Sequence, residues 1–464
     1  MRITETIPSA YRRRATGPGT RILRGLAVLL LVTAVGCGAP PSVRPAPGPA
    51  GHAVIRVPEH ASSIQRAVDS ARPGDLVLVH PGVYRESVVI RTPGVVLRGT
   101  DRNTTVIDGE FRRSNGITVT GARSVVENLT VRNHLANGVL FTGVTDETLQ
   151  SRGGGGHGYD PLDTAKFPAL AGFRASYVTA YNNALYGIYA FDARNGVIEH
   201  SYASGHADSG IYVGQCRPCA TVVRHNTVER NAVGMEVTNA SRELYFLGNT
   251  IRSNRVGMTV NSNDIEALAP QHGAFVVGNT VTANNASDTP EQADGGFGIG
   301  IAVGGGTDNV FERNEVTGNR VAGFLLTDVQ GYPVRANTVR GNRVTGNGTD
   351  LALRTDAGTD NCFSGNGEST TAPRGLAAAA GCAGTGGGGT GVGGRTPAGA
   401  AGPVPPPVAA PPGLSFKRVV PPRRQPSMRD AGTVAPVPAA GLPGVVRLAA
   451  FPLPGRSSTS SVQR

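Results

Sequence analysis

The chain has 464 residues, with 65 glycines, 33 prolines, five cysteines and no tryptophan. Charged residues make up 17% of it and aromatic residues 5%, which disfavours a charge-rich helical protein and suits many tight turns between short strands. The net charge of +11 comes from the two ends, since residues 37–383 carry 29 basic and 31 acidic side chains. A nucleic-acid groove needs clustered positive charge on the fold itself, so we predict no nucleic-acid partner.

Residues 1–36 are predicted to be a signal peptide. Arginines precede the apolar run 26–35, which is too short to span a bilayer as a helix. Small residues then lead into Cys37, and residues 37–52 form a tether rich in Pro, Gly and Ala. This junction resembles the bacterial lipoprotein cleavage site. We expect an exported protein that a lipid on Cys37 anchors to the outer face of the cytoplasmic membrane; ordinary cleavage with a spare Cys37 thiol is the alternative.

Residues 53–383 contain a repeat of about 23 residues, which is typical of a solenoid. Each repeat has a glycine followed by apolar residues at the first and third positions, a period-two alternation that predicts strands. The marker glycines are Gly187, Gly210, Gly234, Gly257, Gly300 and Gly323. Short strands stacked without intervening helices favour a parallel β-helix. Asparagines recur at one turn and are predicted to stack as structural ladders: Asn226, Asn249, Asn279 and Asn314.

The start of this region predicts a capping helix. Residues 62–71 have serines at the start and apolar residues at helical spacing. The motifs Ser63-Ile64-Gln65, Pro73-Gly74-Asp75 and Pro81-Gly82 resemble the N-terminal segment of right-handed parallel β-helix proteins of the pectin-lyase type, which include lyases, epimerases and NosD-like exported proteins. The resemblance covers residues 53–383. It implies an all-β, right-handed parallel β-helix, and a fold that hosts many chemistries.

The four cysteines beyond Cys37 predict two disulfide bonds in an exported chain. We expect Cys216 to pair with Cys219 and Cys362 to pair with Cys382. A redox or metal site at the first pair is the alternative.

The C-terminal residues 384–464 change in composition to Gly, Pro and Ala with nine basic side chains. Such a segment is predicted to be a disordered basic tail. Attachment to anionic envelope polymers is one interpretation, and an extension without a selected role is the other.

The marker glycines give each coil a common numbering. The residues two after each glycine face outward on one sheet, and there Tyr189 and Tyr212 are expected to form an exposed aromatic ladder beside Glu236. Five after the glycines come Asp192, Gln215 and Asn239. Aromatic rings beside amides and carboxylates suit a sugar ring. We predict that Tyr189, Tyr212, Gln215 and Asn239 bind substrate and that Asp192, Asp208 and Glu236 are catalytic.

Two functions are predicted for this surface, with insertions at 142–172, 262–273 and 284–297 as its walls. The first is binding and processing of a polysaccharide or cell-envelope polymer by a monomer, as a lyase, C5-epimerase or glycoside hydrolase. The second is a non-catalytic scaffold or adhesin for a protein or the cell wall. No metal site and no cofactor are predicted, although calcium is possible for a lyase, which must neutralise a uronate carboxylate.

Overall fold

Three parallel sheets run the length of a solenoid. A complete coil contributes one strand to each sheet, and the terminal coils contribute fewer, so the sheets have 12, 11 and 10 strands. The computed structural model describes residues 45–47, 51–150, 162–291, 295–355, 360–379, 382, 409–435 and 441–455. The predicted signal peptide and Cys37 lie outside the described residues.

The strands of sheet A are β1 Val54–Val57, β2 Leu76–Val79, β5 Val96–Gly99, β8 Ser124–Glu127, β11 Leu170–Ser176, β14 Ala193–Glu199, β17 Thr221–Arg224, β20 Leu244–Leu247, β23 Ala274–Val277, β26 Val310–Glu312, β29 Thr338–Arg340 and β32 Cys362–Ser364. Those of sheet B are β3 Gly82–Tyr84, β6 Thr105–Asp108, β9 Thr130–Arg132, β12 Thr179–Tyr181, β15 Tyr202–Ser204, β18 Thr227–Glu229, β21 Thr250–Arg252, β24 Thr280–Thr282, β27 Glu315–Thr317 and β30 Arg343–Thr345. Those of sheet C are β4 Val88–Ile90, β7 Ile117–Val119, β10 Val139–Thr142, β13 Ile188–Phe191, β16 Ser209–Cys216, β19 Val233–Ala240, β22 Val256–Asn261, β25 Ile299–Gly304, β28 Ala322–Thr327, β31 Thr349–Arg354 and β33 Thr371–Ala372.

The core is a continuous column of apolar side chains inside the coils. In sheet C, Ile188 pairs with Ile211 of the next coil, and Ile211 pairs with Met235. All three side chains are fully buried. Because one coil cannot bury its own apolar side chains, each coil depends on its neighbours for stability. The prediction of a parallel β-helix with these inward positions is confirmed.

Asparagine ladders run along the turns of the solenoid. The amide of Asn226 donates to Asn249 Oδ1 at 3.1 Å, and the amide of Asn249 donates to Asn279 Oδ1 at 2.9 Å. The column continues to Asn314 at 2.9 Å, so the predicted structural role of these asparagines is confirmed. A second ladder runs along the turns between sheets B and C and contains Asn231, Asn254, Asn284, Asn319 and Asn347.

Short helices lie at the ends and on one loop. The predicted capping helix is α1, Ile64–Ser70, whose Ser63 side chain accepts from the backbone of Arg66 and whose apolar face is buried. The other helices are α2 Glu147–Gln150, α3 Leu376–Ala379 and the 3-10 turns Phe416–Arg418 and Leu448–Ala450. Within the described part of the chain, no helix has the length and apolar character needed to cross a membrane.

Both predicted disulfide bonds are present. Cys216 is bonded to Cys219, and Cys362 is bonded to Cys382. The first closes a tight loop at the end of β16, and the second fastens the C-terminal end of the β-helix. The Cys216–Cys219 disulfide leaves neither cysteine with a thiolate for a metal ion, so the metal alternative for this pair is not supported by the structure.

The prediction of a disordered tail is wrong for two tail segments, 409–435 and 441–455, which pack on the β-helix. In the first, Val419 O accepts from the Asn182 amide at 2.9 Å. Ser427 Oγ donates to Asn128 Oδ1 at 2.9 Å. These contacts satisfy polar groups at the turns of several coils, so the segment is held by the solenoid surface and not by a core of its own.

The second tail segment covers apolar side chains on the outer face of sheet A. Val446, Leu448 and Phe451 pack against an outward cluster of Val222, Leu247 and Val277. Arg313 Nη2 also donates to Leu448 O at 2.8 Å. The composition of the tail predicts disorder because such a segment cannot bury apolar surface alone. The apolar outer face of sheet A is the surface against which this tail segment buries its apolar side chains.

Candidate functional site

The predicted column of outward-facing side chains on sheet C is present in the structure. Tyr189 of β13 lies opposite Tyr212 of β16, and Tyr212 lies opposite Glu236 of β19. The three side chains face away from the core because their neighbours on either side point inward. Stacked coils thus bring two tyrosines and one carboxylate together from positions 23 and 24 residues apart in the sequence.

An aromatic cluster surrounds Tyr189. Its ring stacks on Tyr186 with centroids 4.2 Å apart and on Phe191 with centroids 5.5 Å apart. Tyr212 meets it edge-on at 4.8 Å. Tyr186, Tyr189 and Phe191 remain partly exposed. Neither Tyr186 nor Phe191 is predicted to be a site residue, although the alternation places Phe191, four residues after the marker Gly187, on the outward face. Tyr186 lies in the turn before β13, where the alternation gives no direction.

The prediction that Tyr212 belongs to an exposed ladder is wrong. Its side chain is only 1% exposed, because the 262–273 insertion folds over it. The Tyr212 hydroxyl donates to Glu266 Oε1 of this insertion at 2.5 Å. The 262–273 insertion was expected to lie beside the outward column of sheet C. Instead it lies on top of this column and adds the carboxylate of Glu266 to it.

Gln215 and Asn239 hold the same insertion in place. Gln215 Oε1 accepts from the backbone N–H of Ala267 at 3.0 Å. Asn239 Nδ2 donates to Asn263 O at 2.6 Å and to Glu266 O at 2.8 Å. Both side chains are buried, Gln215 with 1% and Asn239 with 0% of its surface exposed. Their predicted role in reading sugar hydroxyls is wrong, because these groups anchor the loop that carries Glu266.

Three carboxylates meet beside the tyrosines: Asp208, Glu236 and Glu266. The Ser209 hydroxyl lies 3.3 Å from Asp208 Oδ1 and also donates to Glu236 Oε2. Thr238 Oγ1 donates to Glu236 Oε1 at 3.2 Å. The structure therefore brings together two of the three residues that are predicted to be catalytic. It adds Glu266, a residue of the 262–273 insertion that is not predicted to be a site residue.

Burial and mutual repulsion change the proton affinity of this carboxylate cluster. Burial, followed by the charge of Asp208, raises the pKa of Glu236 well above its ordinary value. Burial and the same charge raise the pKa of Glu266 to about 7, against the opposing hydrogen bond from Tyr212. Because a carboxyl group of this pKa can both hold and release a proton near neutral pH, Glu266 has the property of a general acid or base.

Asp192 lies apart from this cluster. It occupies the turn between β13 and β14, with a positive φ of 53° and 1% of its surface exposed. Burial raises its pKa to about 7, and no other charge contributes to the shift. Asp192 Oδ2 has no hydrogen-bond partner. The structure therefore does not bring Asp192 together with Asp208 and Glu236, the other two residues that are predicted to be catalytic.

No cluster of His, Cys, Asp or Glu among the described residues has the arrangement of a metal site.

Residues 93–269 match the family model described as "Right handed beta helix region". Together with the three parallel sheets, this match shows the fold of a right-handed parallel β-helix. No curated protein matches this chain.

Solved structures with a similar course of the chain include the A-module of mannuronan C-5 epimerase AlgE6 from Azotobacter vinelandii, at 17% identity, over 66% of this chain and 90% of that one, with a TM-score of 0.47. Pectate lyase Pel9A is 14% identical over 66% of this chain and 76% of that one, with a TM-score of 0.32. Alginate lyase from Paenibacillus sp. str. FPU-7 is 15% identical over 63% of this chain and 94% of that one, with a TM-score of 0.35.

Proposed function

We propose that this β-helix binds and hydrolyses a polysaccharide on the outer face of sheet C. The observation that carries the proposal is the meeting of Asp208, Glu236 and Glu266 beside a partly exposed stack of aromatic rings. Stacked rings suit the apolar face of a sugar, and carboxyl groups supply the acid and base that break a glycosidic bond.

The pKa values support separate roles for the carboxylates. Glu266, with a pKa of about 7, is the group that gives its proton to the leaving oxygen. Asp208 supplies the negative charge that raises the pKa of both glutamates and acts as the partner carboxylate. Tyr212 positions Glu266 through its hydroxyl group.

Hydrolysis fits this site better than elimination or epimerisation. Lyases and epimerases must neutralise the carboxylate of a uronate, and the charges that shift the pKa values of Glu236 and Glu266 are negative. A glycoside hydrolase needs two carboxyl groups in different protonation states, which the cluster provides.

The test is product analysis with the purified protein on a panel of neutral, acidic and amino polysaccharides. Hydrolysis predicts new reducing ends without unsaturated ends. Glu266→Gln should lower kcat by at least about 100-fold and leave binding intact, the scale for loss of a general acid. The control Glu243→Gln changes an exposed carboxylate near sheet A and should leave kcat unchanged. Unsaturated products, or full activity in Glu266→Gln, would overturn the assignment.

A binding role without turnover, as a scaffold or adhesin, is the second candidate. The observation that favours it is the insertion that covers Tyr212, Gln215 and Asn239, since it narrows the open surface to the rings around Tyr189. Glycan or cell-wall binding by the parent protein without any product would select this role over hydrolysis.

We also propose that the protein is exported and anchored through a lipid on Cys37. The apolar run 26–35, the small residues before Cys37 and the flexible sequence after it support this. Cys37→Ser should move the protein from the membrane fraction to the soluble fraction. Unchanged fractionation, with no lipid on the mature N-terminus by mass spectrometry, would contradict it.

A further inference from the structure

The first tail segment, 409–435, crosses the outer face of sheet B. Val419 is buried, and its carbonyl accepts from the amide of Asn182, which directly follows β12. The backbone N–H of Gln425 then donates to Asn103 Oδ1 at 2.8 Å, and Asn103 lies in the turn before β6. Because Asn182 and Asn103 lie at opposite edges of sheet B, the chain between Val419 and Gln425 passes over this sheet. Hydrogen bonds at both edges fix this crossing on the β-helix.

The solvent-facing side of this crossing is basic. Five exposed side chains carry a positive charge: Lys417, Arg418, Arg423, Arg424 and Arg429. No acidic residue lies between positions 417 and 429. Arg424 has one ion pair, in which its Nη2 lies 3.8 Å from Asp101 Oδ1. Within the part of the chain that the structure describes, the other four cations form no ion pair. Such a row of exposed cations attracts an anionic surface.

Apolar side chains are exposed beside and between these cations. Val420 is 65% exposed and Leu414 is 40% exposed. A polyanion in solution offers no apolar environment to these side chains, whereas the surface of a bilayer does. Basic side chains interspersed with apolar ones are typical of segments that lie on an anionic membrane. The combination of exposed groups therefore favours a bilayer over a soluble polymer as the partner.

We propose that residues 414–429, the basic strip, bind the surface of an anionic phospholipid bilayer. The guanidinium and ammonium groups lie against the lipid phosphates, and Val420 enters the layer of headgroups. The basic strip lies over sheet B, whereas the candidate polysaccharide site lies on sheet C. The membrane contact therefore uses a different surface and does not rest on the proposed function.

The first experiment is co-sedimentation of the protein with phospholipid vesicles. It uses the predicted mature chain, residues 37–464, which contains every described residue. Cys37→Ser prevents a lipid at this position from supplying the affinity. Vesicles of phosphatidylcholine alone are compared with vesicles of equal parts of phosphatidylcholine and phosphatidylglycerol.

We expect the anionic vesicles to bind the chain at least about 100-fold more tightly, since each basic side chain near an anionic bilayer contributes about fivefold. This preference should fall as sodium chloride is raised above about 0.1 M, because salt shortens the range of the attraction. Equal binding to both kinds of vesicle, or binding to neither, would overturn the proposal.

Replacement of three arginines tests whether the basic strip is the contact surface. The triple variant Arg418→Gln, Arg423→Gln and Arg429→Gln should weaken binding to anionic vesicles by at least about 20-fold. The matched control removes the same charge from exposed arginines at or beside turns from sheet C to sheet A: Arg194→Gln, Arg242→Gln and Arg335→Gln. The control should keep the affinity of the parent. Equal losses in the two triple variants would mean that net charge alone attracts the chain, which refutes the basic strip as the binding surface.

A further comparison separates a bilayer from a dissolved anionic polymer, with polyphosphate as the probe. Val420→Ser leaves the charge unchanged and replaces an exposed apolar side chain, so thermal unfolding should be unchanged. This variant should bind anionic vesicles about threefold more weakly and polyphosphate as tightly as the parent does. Binding of polyphosphate without binding of anionic vesicles would refute the membrane proposal in favour of an anionic polymer. Equal vesicle binding by Val420→Ser and the parent would refute the entry of Val420 into the bilayer.

Discussion

Tyr189 and Tyr212 are neighbours in one column, yet the structure gives them different roles. Tyr189 is partly exposed, whereas Tyr212 is buried under the 262–273 insertion and bonded to Glu266. The sequence shows which way both side chains point, because alternation along a strand fixes the face. It does not show that a loop from a later coil covers one of them, because that depends on tertiary contacts of a segment outside the repeat.

The two tyrosines predict different outcomes on replacement by alanine. Tyr189→Ala should weaken glycan binding by about 1–2 kcal/mol, the scale of one lost stacking contact with its buried area, and hardly change stability. Tyr212→Ala should lower the free energy of unfolding by about 3 kcal/mol, since it leaves a cavity below the insertion. Titration calorimetry and thermal unfolding of both variants measure the difference. Equal effects of the two replacements on glycan binding and on stability would contradict the different roles of the two tyrosines.

Two histidines replace asparagine in the ladder between sheets B and C. Burial lowers the pKa of His134 and His206 to about 4 each. Both are fully buried, and His206 Nδ1 lies 3.3 Å from the backbone N–H of Asn183. Between pH 6.5 and pH 4 the unfolded chain binds more protons than the folded one at these positions. Stability should therefore fall as the pH falls through this window.

His206→Asn tests this dependence with the residue that the ladder uses elsewhere. Its Oδ1 can accept from Asn183 as Asn254 Oδ1 accepts from the backbone of Asn231. The free energy of unfolding should change less steeply between pH 4 and 6.5, by up to about 1.4 kcal/mol per pH unit. Chemical denaturation at several pH values measures the slope. An unaltered slope would show that His206 titrates normally in the folded protein.

At the scale of elements, repeated features were predictable and unrepeated ones were not. The strands, the asparagine ladders, helix α1 and both disulfides follow from periodicity, capping residues and cysteine count. The tail segments have no period, and their composition alone favours disorder. The sequence did contain a signal that another segment packs on sheet A. Several outward positions of this sheet are apolar, namely Leu76, Leu78, Val96, Val125, Val222, Leu247 and Val277. An apolar sheet face of this kind is expected to pack against another segment of the chain.

The tail also covers a buried ion pair on sheet A. Arg98 Nε lies 2.7 Å from Glu127 Oε1, and both side chains are 0% exposed. Arg98 Nη1 donates to Ala431 O at 3.1 Å and to Val434 O at 2.6 Å. Carbonyl groups of the tail thus accept hydrogen bonds from a charge that the β-helix alone leaves at its surface.

Truncation after residue 408 should therefore destabilise the β-helix. Loss of the apolar contacts of Leu448 and Phe451 and of the carbonyl groups around Arg98 should cost about 3 kcal/mol or more. The exposed face of sheet A should also promote self-association. Thermal unfolding and light scattering measure both effects. Truncation after residue 455 removes only residues beyond the packed segments and is the matched control; equal stability of the two truncated proteins would contradict a structural role for the tail.

At the scale of the whole molecule, the stacking of coils brings residues from separate repeats together in one candidate site. Residues from β13, β16 and β19 and from one insertion meet only because equivalent strands lie side by side. The outer faces then differ: the tail packs on sheet A, whereas the partly exposed rings and the carboxylates lie on sheet C. On sheet C the open surface is the group of rings around Tyr189, which is where we propose that a polysaccharide binds.

The most direct test of this account is the crystal structure of Glu266→Gln with an oligosaccharide that the parent protein binds or cleaves. We predict sugar rings stacked on Tyr189 and Tyr186, with a glycosidic oxygen within hydrogen-bond distance of residue 266. An oligosaccharide seated on sheet A, on sheet B or in another loop, with the rings around Tyr189 unoccupied, would contradict the central claim.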